Sequence, residues 1–156
     1  GCTGDVSERA TQALYGLPAE AMLEMGDFAG GLLKYIRRHP VGRVTIGGGV
    51  AKMTKLAQGF LDLHSRRGQA DMTRLAELAR GAGAPDMLVA AIAQAHSVAS
   101  AFTLADDAGC PLGPAVARDA WQTAAGVLAG TPCMLDVLLF DRAGTLVARH
   151  GPHPVP

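Results

Sequence analysis

Aromatic side chains are scarce in this sequence: one Trp, two Tyr and four Phe make up 4% of 156 residues. None interleaves with the arginines, so the stacking platforms of a nucleic-acid surface are missing and no nucleic-acid partner is expected. Cysteine is equally sparse. Cys2, Cys110 and Cys133 are odd in number and far apart, which speaks against a disulfide framework or a zinc knuckle and fits a reducing cytoplasm. No apolar run is long enough to span a bilayer and no basic-then-apolar leader opens the chain, so no membrane partner is expected either. No second histidine stands at metal-ligand spacing from His64, and no Ser/His/Asp arrangement or carboxylate pair can be read from the sequence. Net charge is absent too, 14 Lys and Arg balancing 14 Asp and Glu. What is present, 49% hydrophobic and 18% charged residues, suffices for one domain with its own core.

The zero balance conceals an asymmetry. Between Lys34 and Arg67 eight basic residues (Lys34, Arg37, Arg38, Arg43, Lys52, Lys55, Arg66 and Arg67) face the single acid Asp62. Such focusing suits an anionic partner. A solvated helix face is the alternative for Arg37, Arg38, Arg66 and Arg67.

The stretch Gly47 to Ser65 organises the chain. An apolar β-type run, Arg43 to Ile46, feeds three glycines, Gly47, Gly48 and Gly49, and then an apolar-periodic segment, the pattern of a strand, a ligand loop and a helix. A helix over Val50 to His64 would place Val50, Met53, Leu56, Ala57, Phe60 and His64 on one face and Lys52, Lys55 and Asp62 on the other. Gly59 would then leave a bare spot beside the two lysines, next to a helix N-terminus that favours anions. The loop completes neither a dinucleotide fingerprint nor a P-loop, so a ligand loop and a tight turn easing strand-to-helix packing both fit. His64 likewise reads either as a core residue bonded to terminal carbonyls or as a weak catalytic or ligand candidate.

Taken in order, the chain opens without Met on Gly-Cys-Thr-Gly-Asp, as a loop following a strand outside this sequence, and a fragment is expected. Helical spacing covers Ser7 to Leu14, capped by Asp5 or Ser7 and stopped by Gly16 and Pro18. A short apolar run, Ala21 to Met25, and the Gly26-Asp27 turn lead into a helix from Phe28 to about Arg38. Further helices are expected from Asp71 to Ala79, from Pro85 through Phe102 as one long element, and from Val116 to Leu128, with Trp121 in the core. Met134 to Phe140 and Leu146 to Arg149 form a strand pair about the turn Asp141 to Gly144, and Gly151 to Pro156 is a loose tail. Alternating strands and helices predict a Rossmann-like three-layer α/β/α domain over residues 1–150, with a mostly parallel sheet, a C-terminal helical cover and the strand pair. In such a sheet the ligand lies at the carboxyl ends of the strands, where Thr3, Gly4 and Asp5, then Gly26, Asp27 and Phe28, then Gly47 to Gly49 would meet. Asp27 could bind a ribose hydroxyl or cap its helix.

Several spaced motifs carry a family resemblance: Thr3-Gly4-Asp5 with Ser7-Glu8, Met25-Gly26-Asp27-Phe28 with Gly30, and Lys52 through Lys55-Leu56-Ala57 and Gly59 to His64-Ser65 and Asp71. Over residues 1 to 80 the chain resembles the C-terminal half of the CbiD family, the cobalt-precorrin-5B C1-methyltransferases of cobalamin biosynthesis. Many members have a histidine where Gly49 stands, so no side-chain acid or base is assigned to that loop. Asn is also common at the position of Asp5. The resemblance implies methyl transfer from S-adenosylmethionine to an anionic cobalt-precorrin tetrapyrrole. It also implies a further N-terminal domain outside this sequence, without which the fragment should not turn over, and it leaves a homo-oligomer open. With that donor and substrate, the rim residues Thr3, Gly4, Asp5, Gly26, Asp27, Phe28, Gly47, Gly48 and Gly49 would contact the donor, Lys52 and Lys55 would bind carboxylates of the macrocycle or the donor's methionine carboxylate, His64 and Ser65 would contact the substrate, and cobalt would belong to the substrate with no metal site in the protein. Two other classes stay open, a nucleotide-binding oxidoreductase domain and a non-catalytic binding or assembly domain.

Overall fold

The computed structural model describes residues 1–156. Its sheet has three strands, β1 (Arg43–Gly49), β2 (Met134–Phe140) and β3 (Leu146–Pro154). Strand β1 runs parallel to β2, in register from Arg43 opposite Met134 to Gly49 opposite Phe140, and β2 runs antiparallel to β3. A Rossmann-like, mostly parallel sheet is therefore not what forms: one of the two strand pairs is antiparallel. The run Ala21 to Met25 contributes no strand, only an isolated bridge from Glu24 to Cys2, which itself bridges to Gly47. The residues read as a loose tail are also ordered, since β3 continues to Pro154, and the Val155 amide bonds to Cys133.

Seven helices surround the sheet: α1 (Asp5–Tyr15), α2 (Ala29–Arg38), α3 (Val50–Ala57), α4 (Met72–Gly81), α5 (Asp86–Ala93), α6 (Val98–Asp107) and α7 (Leu112–Leu128). No helix is long and apolar enough to cross a membrane. The alternation of β2 explains the layering. Leu135, Val137 and Leu139 join the main core with Ala117, Ala120 and Ala124 of α7, whereas Asp136 turns to the other face, where α1 lies. Five successive helices, α3 to α7, carry the chain from β1 back to its parallel neighbour β2. Alanine-rich α7 approaches the sheet closely, and Trp121 donates from Nε1 to the Leu135 carbonyl at 2.9 Å.

Two helices differ from their sequence patterns. Helix α3 stops at Ala57 because Gly59 takes a left-handed conformation, φ 89°, open to glycine at little cost. Phe60 to Leu63 then lie against the start of α2, where the Leu63 amide bonds to the Asp27 carbonyl and the Gly30 amide to the Leu61 carbonyl, each at 2.8 Å. The apolar period past Gly59 marks burial, but not in a helix. The long helix expected after Pro85 is broken at 94–97, where the Ser97 side chain accepts from the Ser100 amide and starts α6 instead.

Asp136 ties α1 to the sheet. Fully buried, it accepts hydrogen bonds from Tyr15 Oη, from Thr45 Oγ1 at 2.5 Å and from Arg43 Nη2 at 3.1 Å. The Arg43 guanidinium lies 4.8 Å from the Tyr15 ring centre. Burial, reinforced by the neighbouring Asp136 carboxylate, pushes the Tyr15 phenol above its ordinary 10.0. A phenol whose folded pKa is raised contributes stability in full below its unfolded value and loses it as pH rises through the folded one. Urea melts in mildly alkaline buffer and above about pH 11 should therefore show a stability loss that Tyr15→Phe abolishes. An equal alkaline loss in Tyr15→Phe would place the titrating group elsewhere.

Candidate functional site

An open cleft of about 1220 Å³ lies at the carboxyl ends of the parallel pair, with Gly49 from β1 and Phe140 from β2 in its lining. Its floor comes from Thr3, Gly4 and Asp5 before and at the start of α1, and from Val50 and Lys52 in the first turn of α3. The opposite wall is Phe102, Thr103 and Asp106 of α6 with Pro111 to Pro114 at the start of α7, and the β2–β3 turn from Asp141 to Val147 closes the third side. Three helices thus open into one space, preceded by Gly4, Gly49 and Pro111, and no side chain caps any of them. First-turn amides have no partner inside their own helix, so they carry a positive potential into the cleft.

Tight packing holds the floor. A Cβ on Gly48 would come within 2.7 Å of Met53 Sδ and 2.8 Å of Thr3 Oγ1, and one on Gly47 within 2.7 Å of Thr11 Oγ1. These glycines are strand residues paired with Leu138 and Leu139. The three glycines, for which a ligand loop and a tight turn both fit the sequence, are thus the end of β1, and only Gly49 among them reaches the cleft. Lys52 extends along the floor, its Nζ donating to the Thr3 carbonyl at 2.7 Å and lying 3.1 Å from Asp27 Oδ1. Asp27 therefore backs Lys52 from outside the cleft and makes no cap on α2. Asp141 is occupied by its own turn: amide hydrogen bonds, that of Thr145 foremost, hold its carboxyl below the usual carboxylate range.

A family profile described as CbiD, C-terminal domain, matches residues 62–151. The chain belongs to the CbiD C-terminal domain family. It is 58% identical over 149 residues to a cobalt-precorrin-5B C(1)-methyltransferase of Agrobacterium fabrum, covering 96% of this chain and 40% of the relative. It is 54% identical over 159 residues to the protein of the same name from a Bradyrhizobium species, covering 99% and 42%. A third, from Halorhodospira halophila, is 58% identical over 151 residues, covering 97% and 40%. The chain thus spans about two fifths of the length of the curated relatives it matches. No solved structure matches it.

In this CbiD domain the residues singled out from the sequence divide into two groups. Thr3, Gly4, Asp5, Gly49 and Lys52 meet in the cleft, whereas Gly26, Asp27, Phe28, Gly47, Gly48, Lys55, His64 and Ser65 do not line it. Phe28 is exposed on the surface. Lys55 is buried and donates to the Leu63 carbonyl at 3.0 Å, which anchors the segment after α3. His64 lies outside α3, exposed, with Nδ1 accepting from the Arg66 amide ahead of a short 3-10 turn, Ser65–Arg67. The basic segment does not act as one patch either: Arg43 is held by Asp136 at the far end of β1, Arg67 pairs with Asp62 at 3.4 Å, and only Lys52 enters the cleft. Sequence reasoning missed the walls from α6, α7 and the β2–β3 turn. The signal was Met134 to Phe140 itself, because a second parallel strand brings its own carboxyl-end loop to the same rim.

Proposed function

We propose that this chain is the C-terminal domain of an enzyme that methylates carbon 1 of cobalt-precorrin-5B from S-adenosylmethionine, in cobalamin biosynthesis, and that the cleft holds the donor. The supporting observation is identity of 54–58% across nearly the whole chain to proteins carrying that name. The cleft suits the donor: uncapped helix N-termini and Lys52 favour a carboxylate, while Phe102, Phe140 and Val147 offer apolar surface to the adenosine. At about 1220 Å³ it exceeds the roughly 300–1,000 Å³ of common small-ligand pockets, leaving room for an edge of the macrocycle.

When bound, the donor supplies an electrophilic methyl group. The domain's own task is to hold two molecules in line and exclude water, which needs no nucleophilic side chain. The carboxylated macrocycle enters from the open side of the cleft, where the N-terminal domain of the longer protein completes the enclosure. Titrating the full-length protein with S-adenosylhomocysteine, NAD and a corrinoid precursor tests the reading, followed by transfer of a labelled methyl group. Binding of S-adenosylhomocysteine without NAD, and labelling of the corrinoid by the full-length protein but not by these 156 residues, is expected. Selective NAD binding, or no transfer by the full-length protein, would overturn it.

A further inference from the structure

The floor of the cleft contains groups that its packing leaves unused. Thr3 is only 6% exposed and lines the cleft, and its hydroxyl, though not fully shut off from solvent, makes no hydrogen bond within the protein. It is fixed from beneath, since Gly48 leaves just enough room for it. The starts of α1 and α3 flank it without side-chain caps. Lys52 bonds to the carbonyl of the same residue and stands beside Asp27, but an ammonium has three donors, and its side chain is 37% exposed. Asp5, on the first turn of α1, is exposed and makes no ion pair.

We propose that this floor is a subsite for an α-amino-acid zwitterion, with the carboxylate on the Thr3 hydroxyl, the Lys52 ammonium and the amides that open α3, and the ammonium on the acceptor at position 5. The pairing of charges selects this group. A ligand bearing carboxylates alone would meet repulsion from Asp5, whereas a zwitterion meets a donor set and an acceptor set on one floor. The inference rests on the donor reading above, because the end of S-adenosylmethionine opposite its adenosine is such a zwitterion. It adds the orientation: the amino-acid end lies at α1 and α3, and the adenosine lies toward α6, α7 and the β2–β3 turn.

The test compares S-adenosylhomocysteine with 5′-methylthioadenosine, which lacks the amino-acid end, by calorimetric titration of the full-length protein. Wild type should bind S-adenosylhomocysteine at least about ten-fold more tightly. Lys52→Met should remove about ten-fold of that affinity, and Thr3→Val and Asp5→Ala roughly three-fold or more each, with 5′-methylthioadenosine affinity unchanged in all three. Thr3→Val preserves shape and guards against a Lys52→Met variant that fails to fold around Asp27. If wild type binds both ligands equally, or if the variants weaken both alike, the subsite is wrong while the donor reading stands. If wild type binds neither, the donor reading fails and the subsite with it.

Discussion

Replacing Asp136 by alanine is expected to cost the fold about 3 kcal/mol, the larger of two effects on the sheet that carries the cleft. The carboxylate is completely buried and receives three donors from two elements, Tyr15 of α1 and Arg43 and Thr45 of β1. Truncation leaves the half-buried Tyr15 and Thr45 hydroxyls without their partner beside a cavity, and an unmade bond costs about 1–3 kcal/mol where burial keeps water from replacing it. The Arg43 contribution is smaller because its side chain is 45% exposed and can be hydrated once released. In a domain of this size the melting temperature should fall by roughly 6–12 °C. Urea midpoints for Asp136→Ala, Asp136→Asn and Arg43→Met check the ranking, with Asp136→Ala worst and Arg43→Met mildest. A loss under about 1 kcal/mol in Asp136→Ala, or Arg43→Met matching it, would mean that the buried carboxylate is not what binds α1 to β1.

This cluster also bears on the cleft. Tyr15 is the last residue of α1 and the cleft floor lies at its first turn, so the bond to Asp136 fixes one end of the helix whose other end faces the ligand. Loss of Asp136 should loosen the floor without touching any residue that lines it.

The sequence made the local elements legible and the tertiary ones less so. Periodicity and breakers placed α1, α2, α4 and the β2–β3 pair, because each is bounded by residues with strong local preferences: Gly16, His39-Pro40, Asp71 and the Asp141 turn. It failed at α3 and at α5–α6, where the apolar period continues through a break. Phe60 and Leu63 are packed in an extended segment and Ser97 restarts a helix, and no periodicity count separates these from continuous helices. The mostly parallel sheet failed for a related reason. A short apolar run such as Ala21 to Met25 becomes a strand only if a neighbour extends along it, and here Glu24 alone meets Cys2.

For the site, Thr3, Gly4, Asp5, Gly49 and Lys52 were readable because the carboxyl end of a parallel strand and the following helix start are adjacent in sequence. Lys55 and His64 lie away from the cleft because α3 ends before Gly59: the chain after it folds back over Lys55 and leaves His64 outside any helix, and nothing in the local pattern marks that return. The α6 and α7 walls depend on where a long crossover returns, which is a property of the packed chain.

Gly48→Val carries the second large effect, and here the structure changes the expectation. Read as part of a loop that approaches a ligand, Gly48 would tolerate valine in the fold and lose binding. As a strand residue opposite Leu139, it has no such tolerance. Its Cβ would sit 2.7 Å from Met53 Sδ, 2.8 Å from Thr3 Oγ1 and 2.9 Å from Thr3 Cγ2, and valine adds two methyl groups beyond that point. The β-branched preference for strands recovers less than about 1 kcal/mol. Overpacking of this kind costs about 1–3 kcal/mol, and the upper end applies because Met53 is fully buried and can yield only by disturbing α3. The other way to yield is for Thr3 to move into the cleft, so affinity for S-adenosylhomocysteine should fall together with stability. Gly49→Ala is the contrast: its Cβ would meet nothing within 4 Å and its φ of −67° suits any residue, so the unfolding midpoint should hold within about 0.5 kcal/mol. Urea melts and ligand titrations on Gly48→Ala, Gly48→Val and Gly49→Ala decide the matter. A Gly48→Val protein with an unchanged midpoint and no ligand binding would restore the loop reading, whereas parallel losses of stability and affinity, graded from alanine to valine, identify Gly48 as the packing residue that sets the height of the cleft floor.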